Sequence, residues 1–111
     1  MELQKYVYSA KVVSVYDGDT ITIDIDLGFG IVMKKQKVRL FGIDTPEIRG
    51  EEREQGLISR DFLREKILDK EVIIQTIKDK TGKYGRWLGI IYIENTNINE
   101  LLITEGYAER Y

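Results

Sequence analysis

Residues 20–27 have the sequence TITIDIDL, in which apolar and polar side chains alternate without interruption. Because successive side chains of an extended chain point to opposite faces, this alternation predicts a β-strand that is half buried. The face expected to lie in a core carries Ile21, Ile23 and Ile25. The other face carries threonine and aspartate and is expected to contact solvent.

The segments on either side of this strand also favour extended structure. Residues 6–16 are mostly β-branched or aromatic, and residues 31–43 resume the alternation after a turn at residues 28–30. Residues 44–46, DTP, are expected to end the third strand, because proline cannot donate a hydrogen bond to a strand ladder. The first part of the chain is therefore predicted to be a three-strand meander.

The second half of the chain shows a different period. Apolar residues recur four positions apart among charges, for example at Ile58 and Phe62, which predicts an amphipathic helix over about residues 55–68. Residues 71–77 and 87–93 are rich in β-branched and aromatic residues and are predicted to be two further strands.

A short helix is predicted at the end of the chain. Asn97 and Glu100 stand where an N-cap and its reciprocal third residue would lie, and Gly106 is a suitable stop. The predicted order is three strands, a helix, two strands and a helix. That order is typical of a mainly β fold with helices (α+β), a five-stranded OB-fold barrel.

Composition limits the chemistry that the protein can perform. With 111 residues, of which 42% are hydrophobic, residues 1–111 are expected to form a single domain. The chain contains no cysteine and no histidine, which excludes thiolate nucleophiles, imidazole bases and the usual zinc sites. Catalysis would have to use carboxylates, arginine, lysine, tyrosine or hydroxyls, and a bound metal would have to be a hard, oxygen-ligated ion.

The net charge of −2 argues mildly against a nucleic-acid partner, since phosphate binding usually draws on an excess of basic residues. The basic residues are clustered, however, so that a local site can be cationic. The two clusters are Lys34, Lys35, Lys37 and Arg39, and Lys78, Lys80, Lys83 and Arg86.

No apolar run approaches the roughly 20 residues needed to span a bilayer, and the first residues have no signal-peptide pattern. We therefore expect no membrane partner. The expected location is the cytoplasm, or the exterior after removal of a signal. The expected oligomeric state is a monomer.

Asp19 falls on the same strand face as Ile21 and Ile23, so its carboxylate is expected to point inward. A buried carboxylate needs a counter-charge, which could be a basic side chain or a metal ion. The alternative is that residues 17–20, DGDT, simply form a hairpin turn.

Two other stretches carry candidate functional groups. Residues 39–47, RLFGIDTPE, place a guanidinium, two carboxylates and a proline turn at the end of a strand. Residues 83–86, KYGR, open another strand. Each stretch taken alone is also explained as a solvated turn, because Asp, Gly and Pro favour turns.

Together these segments resemble the staphylococcal nuclease (thermonuclease) family. The matching stretches occur in the family's order and with nearly its spacing along almost the whole chain. They are residues 15–20, 39–47, 83–86, 99–102 and 106–108.

The resemblance implies a calcium site and a base. Asp19 and Asp44 would bind Ca²⁺ through their carboxylates and Thr45 through its backbone carbonyl, with water and a substrate oxygen completing the shell. Glu47 would orient or deprotonate the attacking water.

The resemblance also implies how the substrate is held. Arg39 and Arg86 would grip the scissile phosphate, because their forked donors match its paired oxygens. The remaining implied contacts are a neighbouring phosphate for Lys83 and Tyr84, and a base-stacking face for Tyr107 or Tyr111.

The implied function is that of a calcium-dependent nuclease, a hydrolase that cuts DNA and RNA with little sequence preference and favours single strands. None of the implied groups recognises a base edge, which is consistent with weak sequence preference. The alternative is a non-catalytic module of the same fold that binds nucleic acid or protein. A scaffold has little use for several carboxylates in one cleft, because they repel each other unless a cation joins them.

Overall fold

The computed structural model describes residues 5–81 and 85–111, without the side chains of residues 78–81. The described strands are β1 (Val7–Asp17), β2 (Thr20–Gly28), β3 (Ile31–Leu40), β4 (Ile43–Asp44), β5 (Glu71–Thr81), β6 (Trp87–Ile93), β7 (Thr96–Asn97) and β8 (Glu109–Arg110). The described α-helices are α1 (Arg53–Ile67) and α2 (Ile98–Thr104), and a short 3-10 turn over Gly50–Glu52 precedes α1.

Five strands form a closed barrel, as the sequence predicts. β1, β2 and β3 form an antiparallel meander, and β5 pairs with both β1 and β6. The barrel closes where β6 runs parallel to the end of β3, with Val38 opposite Trp87 and Leu40 opposite Gly89. A closed barrel leaves few free strand edges, and its interior is filled by alternate side chains of each strand.

The core lies inside this barrel and beneath the helices. Ile21 and Ile23 are completely buried and Ile25 nearly so, which confirms the face predicted from their alternation. Leu63 and Ile67 of α1 join the same cluster of buried residues. Burial of each large aliphatic side chain stabilises the fold by about 1.5–3 kcal/mol, so this cluster dominates the stability of the barrel.

The third strand is shorter than the sequence predicts. β3 ends at Leu40, and Gly42 has a positive φ of 79°, a conformation that glycine adopts without strain. The chain therefore turns before Ile43, and β4 pairs with β8 in a separate two-stranded ribbon. The other boundaries differ by small amounts: α1 begins at Arg53, and β5 continues to Thr81.

The last helix confirms one half of the predicted cap. The Asn97 side chain accepts a hydrogen bond of 3.0 Å from the backbone N–H of Glu100, and Gly106 ends the helix region with a φ of 82°. The Glu100 carboxylate accepts two hydrogen bonds from Arg110, of 2.9 and 3.0 Å. The predicted reciprocal role of Glu100 at the cap is therefore replaced by a link between α2 and β8.

The molecule is elongated, with extents of 46 × 27 × 25 Å. Among the described residues, no helix has the length and apolar character that crossing a membrane requires.

Candidate active site

Asp19 lies in the tight turn between β1 and β2, and its carboxylate points inward as the sequence predicts. The residue is 7% exposed. Its Oδ1 accepts a hydrogen bond of 3.2 Å from the Thr20 hydroxyl, and its Oδ2 accepts one of 3.1 Å from the backbone N–H of Thr45. The turn between the first two strands is thereby joined to the segment that follows β4.

Arg39 supplies the positive charge that this buried carboxylate needs. Its Nη1 lies 3.0 Å from Oδ2 of Asp19, and its Nη2 lies 3.4 Å from Oδ1 of Asp44. The sequence left open whether a basic side chain or a metal ion would fill this role. In the described residues, one guanidinium joins the two carboxylates that were predicted to bind a metal.

Two polar atoms at this position are buried without a hydrogen-bond partner in the described part of the chain. They are Nη1 of Arg39 and Oγ1 of Thr45. The Arg39 nitrogen is close to the Asp19 carboxylate, but its geometry does not meet the requirements of a hydrogen bond. Because an unsatisfied buried polar atom is costly, the Thr45 hydroxyl favours an additional polar partner, whereas the Arg39 nitrogen is compensated by its ion pair with Asp19.

Arg86, the residue before β6, approaches the same group. Its Nη1 donates a hydrogen bond of 3.0 Å to the Thr20 hydroxyl, and Thr20 stands opposite Arg39 in the β2–β3 register. The Thr20 hydroxyl in turn donates to Asp19. The structure thus brings together both predicted phosphate-binding arginines and one predicted metal ligand.

Asp17 is a site residue that the sequence motif contained but to which no role was assigned. Burial, and next the negative charge of Asp19, raise the pKa of Asp17 to about 6. Its Oδ1 accepts a hydrogen bond of 3.0 Å from the backbone N–H of Asp19. The sequence signal for this pair was two aspartates separated by one glycine, because a tight turn brings such carboxylates close enough for one to raise the pKa of the other.

The segment of Thr45, Pro46 and Glu47 is packed between the β1–β2 turn and the start of α1. A Cβ added at Gly18 would lie 2.8 Å from Cγ2 of Thr45. A Cβ added at Gly56 would lie only 2.1 Å from the backbone oxygen of Glu47. The backbone of Glu47 can rest on α1 only because residue 56 has no side chain.

The pairing of β4 with β8 positions Asp44. Asp44 stands opposite Glu109 in this ribbon, and its side chain is more than half exposed. The buried Asn99 side chain donates hydrogen bonds of 2.9 Å to the Phe41 oxygen and 3.1 Å to the Gly89 oxygen. The turn that connects Arg39 to Asp44 is therefore tied to β6 by a side chain whose role the sequence did not reveal.

The role of Asn99 could have been suspected from the sequence, because it is a polar residue beside the apolar residues of α2. Its Oδ1 also accepts a hydrogen bond of 3.2 Å from the backbone N–H of Ile91. An amide that is both donor and acceptor is suited to joining backbone groups of neighbouring strands.

A cleft of about 280 Å³ lies beside these groups. Its lining includes Asp44, Thr45, Glu47, Glu52 and Tyr107. Glu47 itself is exposed, as its predicted contact with water requires. A larger cavity of about 560 Å³ lies elsewhere, and none of the predicted site residues that the structure describes lines it.

The two tyrosines considered for base stacking occupy different positions. Tyr107 is partly buried and stacks on Phe62, with ring centroids 4.1 Å apart. Tyr111 is 85% exposed, and the Arg39 guanidinium lies 5.7 Å from the centroid of its ring. Lys83 and Tyr84, predicted to contact a neighbouring phosphate, lie outside the described residues.

The predicted metal ligands fit a hard ion that keeps several non-protein ligands. No group of three or more Asp, Glu, His or Cys residues suited to a metal ion occurs in residues 5–81 and 85–111. Asp19 and Asp44 nevertheless converge on one cationic group. Thr45, whose backbone carbonyl oxygen is the predicted third ligand, donates its backbone N–H to Asp19, and its hydroxyl is a further buried oxygen without a partner among the described residues. Two carboxylates and such an oxygen are suitable donors for Ca²⁺ or Mg²⁺ when water and a phosphate oxygen complete the shell.

Comparison with known proteins identifies relatives of the chain. A family model described as "Staphylococcal nuclease homologue" matches residues 37–111. The thermonuclease of Staphylococcus hyicus is 33% identical to the chain, over 88% of this chain and 56% of its own length. An uncharacterized protein of Methanocaldococcus jannaschii is also 33% identical to the chain, over 94% of this chain and 59% of its own length.

An uncharacterized endonuclease of Haemophilus influenzae is 32% identical to the chain, over 93% of this chain and 52% of its own length. The chain thus spans between about half and three fifths of the length of these relatives.

Proposed function

The chain belongs to the family of staphylococcal nuclease homologues, and on that premise we propose that it is a calcium-dependent phosphodiesterase that cleaves DNA and RNA with little sequence preference. The observation that carries this proposal is the convergence of Arg39 and Arg86 on Thr20 and Asp19. Two guanidinium groups at one point form a strong binding site for a phosphate, which accepts their paired donors through its oxygens.

In this proposal Asp19, Asp44 and Thr45 hold the ion. Bound there, Ca²⁺ would neutralise charge on the phosphate and would favour ionisation of a nearby water. Arg39 pairs with both carboxylates here, and in this proposal its guanidinium would instead hold the phosphate when Asp19 and Asp44 serve as ligands.

Glu47 is proposed to orient or deprotonate the attacking water. Its carboxylate is exposed in the cleft beside Asp44, while its backbone is fixed against α1 at Gly56. A base is effective when its position is fixed within hydrogen-bonding reach of the proton that it removes. The fixed backbone and the exposed side chain of Glu47 suit that task.

The substrate is expected to be single-stranded nucleic acid of either sugar type. The groups assembled here are cations, carboxylates and exposed rings, such as that of Tyr111, and none of them distinguishes one base from another. Phosphate contacts and stacking are independent of sequence and need accessible bases, which unpaired strands provide.

A second candidate function is binding without cleavage. The observation that favours it is the ion pair of Arg39 with Asp19 and Asp44, because it neutralises the two carboxylates without a metal ion. A module of this kind would bind nucleic acid in chelator as well as in calcium.

Release of acid-soluble nucleotides separates the two functions. We expect the purified protein to release them from denatured DNA and from RNA in Ca²⁺, and more slowly from duplex DNA. Excess chelator should abolish the release, and parallel assays in Mg²⁺ define the ion preference. Cleavage that persists in chelator would contradict the metal-dependent mechanism, and binding without cleavage in every ion tested would support the second function.

A further inference from the structure

The outer face of the β2–β3 hairpin carries basic residues that continue directly from the candidate active site. Thr20 stands opposite Arg39 and Thr22 opposite Lys37 in the register of the two strands. Residues two apart in a strand share a face, so Lys37 lies next to Arg39 on the same side of the sheet. Lys37 is exposed.

A β-bulge keeps two further lysines on this face. Ile23 pairs with Gln36 and Ile25 with Met33, so that Lys34 and Lys35 both stand opposite Asp24. The extra residue is accommodated at Lys35, which has a φ of 54° and donates its backbone N–H to Asp24 Oδ1 at 2.9 Å. Bulges commonly redirect side chains in this way.

The bulge retains a net positive charge. The Lys34 ammonium lies 3.5 Å from the Asp24 carboxylate, and hydrogen bonding to the Lys35 backbone, then the charge of Lys34, hold the pKa of Asp24 below its usual value. One carboxylate therefore faces two ammonium groups. Together with Lys37 and Arg39 these residues form what we call the cationic track, defined as Lys34, Lys35, Lys37 and Arg39.

The hairpin ends in a fully exposed aromatic ring. Phe29 stands at its tip with its whole side chain in solvent and a φ of 56°. A bulky residue is strained in this left-handed conformation, and an exposed ring contributes little to folding. From Thr20 to Gly28, β2 extends about 26 Å at 3.3 Å per residue, so the tip is several nucleotides away from Arg39.

We propose that the β2–β3 hairpin binds the part of a single-stranded nucleic acid that flanks the scissile phosphate. The phosphates lie along the cationic track, and Phe29 stacks on a base beyond it. This inference rests on the proposed function, since it extends the same site. A repeat of two residues is about 6.6 Å along a strand, which is comparable with the spacing of successive phosphates in an extended nucleic-acid strand.

The physical case is the combination of features that single-strand binding requires. A cationic path that follows the backbone and an aromatic platform for a base are the usual elements of sequence-independent recognition. Barrels of this class also commonly use the surface of strands two and three for oligonucleotides. Here that surface is continuous with Arg39 and therefore with the candidate active site.

The test measures oligonucleotide affinity in calcium on the Glu47→Gln background, which prevents cleavage during the measurement. Labelled oligothymidylates of three and of twelve nucleotides are titrated at several salt concentrations. One variant carries both Lys35→Gln and Lys37→Gln. The other carries Phe29→Asn alone, and asparagine is chosen because it tolerates the positive φ of residue 29. Lys70→Gln is the matched control, since Lys70 is an exposed lysine outside the hairpin.

We expect the double lysine variant to raise the dodecamer Kd about tenfold or more. The negative slope of log association constant against log salt should become shallower by about 1.4, at 0.7 for each lost phosphate contact. Phe29→Asn should raise the dodecamer Kd about tenfold without changing the slope. The trimer extends from Arg39 no further than Lys37. Its Kd should therefore rise much less than the dodecamer Kd in the double lysine variant, and less than twofold in Phe29→Asn. The control should bind both oligonucleotides like the parent.

The results separate this inference from the proposed function. The inference is wrong and the function stands if the protein with Glu47 cleaves in Ca²⁺ but the hairpin variants bind the dodecamer as tightly as Glu47→Gln alone. The hairpin site stands and hydrolysis fails if the hairpin variants lose dodecamer affinity as expected while the protein with Glu47 never cleaves. Equal losses for trimer and dodecamer, or no dodecamer binding by the parent, would overturn the inference.

Lysines on an exposed strand also deter pairing with other chains, so the variants are checked by size-exclusion chromatography. Weaker binding counts for the inference only in variants that elute as the parent does. If Phe29→Asn instead abolished binding to anionic phospholipid vesicles and left the dodecamer Kd unchanged, the tip would be a membrane contact, and the inference would be wrong.

Discussion

Arg39 shows how one side chain organises the candidate site. Its planar guanidinium contacts Asp19 through one nitrogen and Asp44 through the other, at 3.0 and 3.4 Å. A lysine ammonium is a point charge and lacks the two separated donors that this bridge uses. The separation of the two carboxylates is therefore matched to an arginine.

Glu47 provides the sharpest residue-scale prediction. Glu47→Gln keeps the size and shape of an exposed side chain but removes the negative charge, so the fold and nucleotide affinity should remain near those of the parent. The rate of nucleotide release in Ca²⁺ should fall by roughly 10² to 10⁴, the usual contribution of a positioned base. Turnover within a few-fold of the parent would mean that Glu47 has no catalytic role.

Gly56 gives a second prediction at this scale. A Gly→Ala change inside a helix usually stabilises it, by about 0.5–1 kcal/mol. Here the new Cβ would lie 2.1 Å from the Glu47 backbone oxygen, so we expect destabilisation of about 1–3 kcal/mol and a slower reaction. Thermal unfolding and nucleotide release measure the two effects. Glu65→Ala, at an exposed position of the same helix, is the control and should change neither stability nor rate appreciably. An unchanged rate in Gly56→Ala would show that the reaction does not depend on the contact of Glu47 with residue 56.

At the scale of elements, the ribbon of β4 and β8 joins Asp44 to the end of the chain. Arg110 in β8 donates two hydrogen bonds to Glu100 in the first turn of α2. The ribbon is thereby attached to a helix that packs on β6 through Asn99. The position of Asp44 depends on this chain of contacts and not only on its own turn.

The Glu100–Arg110 pair predicts a dependence of stability on pH. Hydrogen bonding from Arg110, and also its charge, lower the pKa of Glu100 below the ordinary 4.5. A group with a lowered folded-state pKa stabilises the fold above its unfolded pKa, and this stabilisation is lost as the pH falls through the folded value. Glu100→Gln should therefore lower the melting temperature by a few degrees at pH 7, and the difference should shrink as the pH falls below 4.5 and through the folded-state pKa.

Glu105→Gln is the matched control for this prediction. Glu105 is exposed at the end of α2, where the helix dipole disfavours a negative charge, so its loss should leave the melting temperature equal or slightly higher. A Glu100→Gln difference that stayed constant as the pH was lowered until Glu100 is protonated would indicate that the ion pair is not its source.

At the scale of the whole molecule, an ion that binds only the folded chain should raise its melting temperature. At a Ca²⁺ concentration a hundredfold above Kd, mass action contributes about 2.7 kcal/mol, which for a domain of this size is on the order of 10 °C. Asp44→Asn should reduce this shift strongly, and its exposed side chain should allow normal folding. A melting temperature that does not change across a saturating titration would count against an ion site at Asp19 and Asp44.

The sequence by itself determined the five barrel strands, the two helices and the kinds of chemistry available. Alternation of period two predicted β2 and placed Ile21, Ile23 and Asp19 on its inner face, and the N-cap at Asn97 predicted α2. These features depend on neighbours within a few residues, where backbone geometry alone relates position to direction. The absence of histidine and cysteine left only oxygen ligands and arginine donors for the candidate site.

Only the tertiary structure decided how these groups meet. The closure of β3 on β6, the bridge of Arg39 between Asp19 and Asp44, and the contact of Gly56 with Glu47 all join segments that are separate in the chain. Their distances depend on how the barrel and α1 pack, because close packing of the core fixes the relative positions of its elements. The raised pKa of Asp17 follows from the same packing, since burial is its largest cause and no local pattern reports the depth of a side chain.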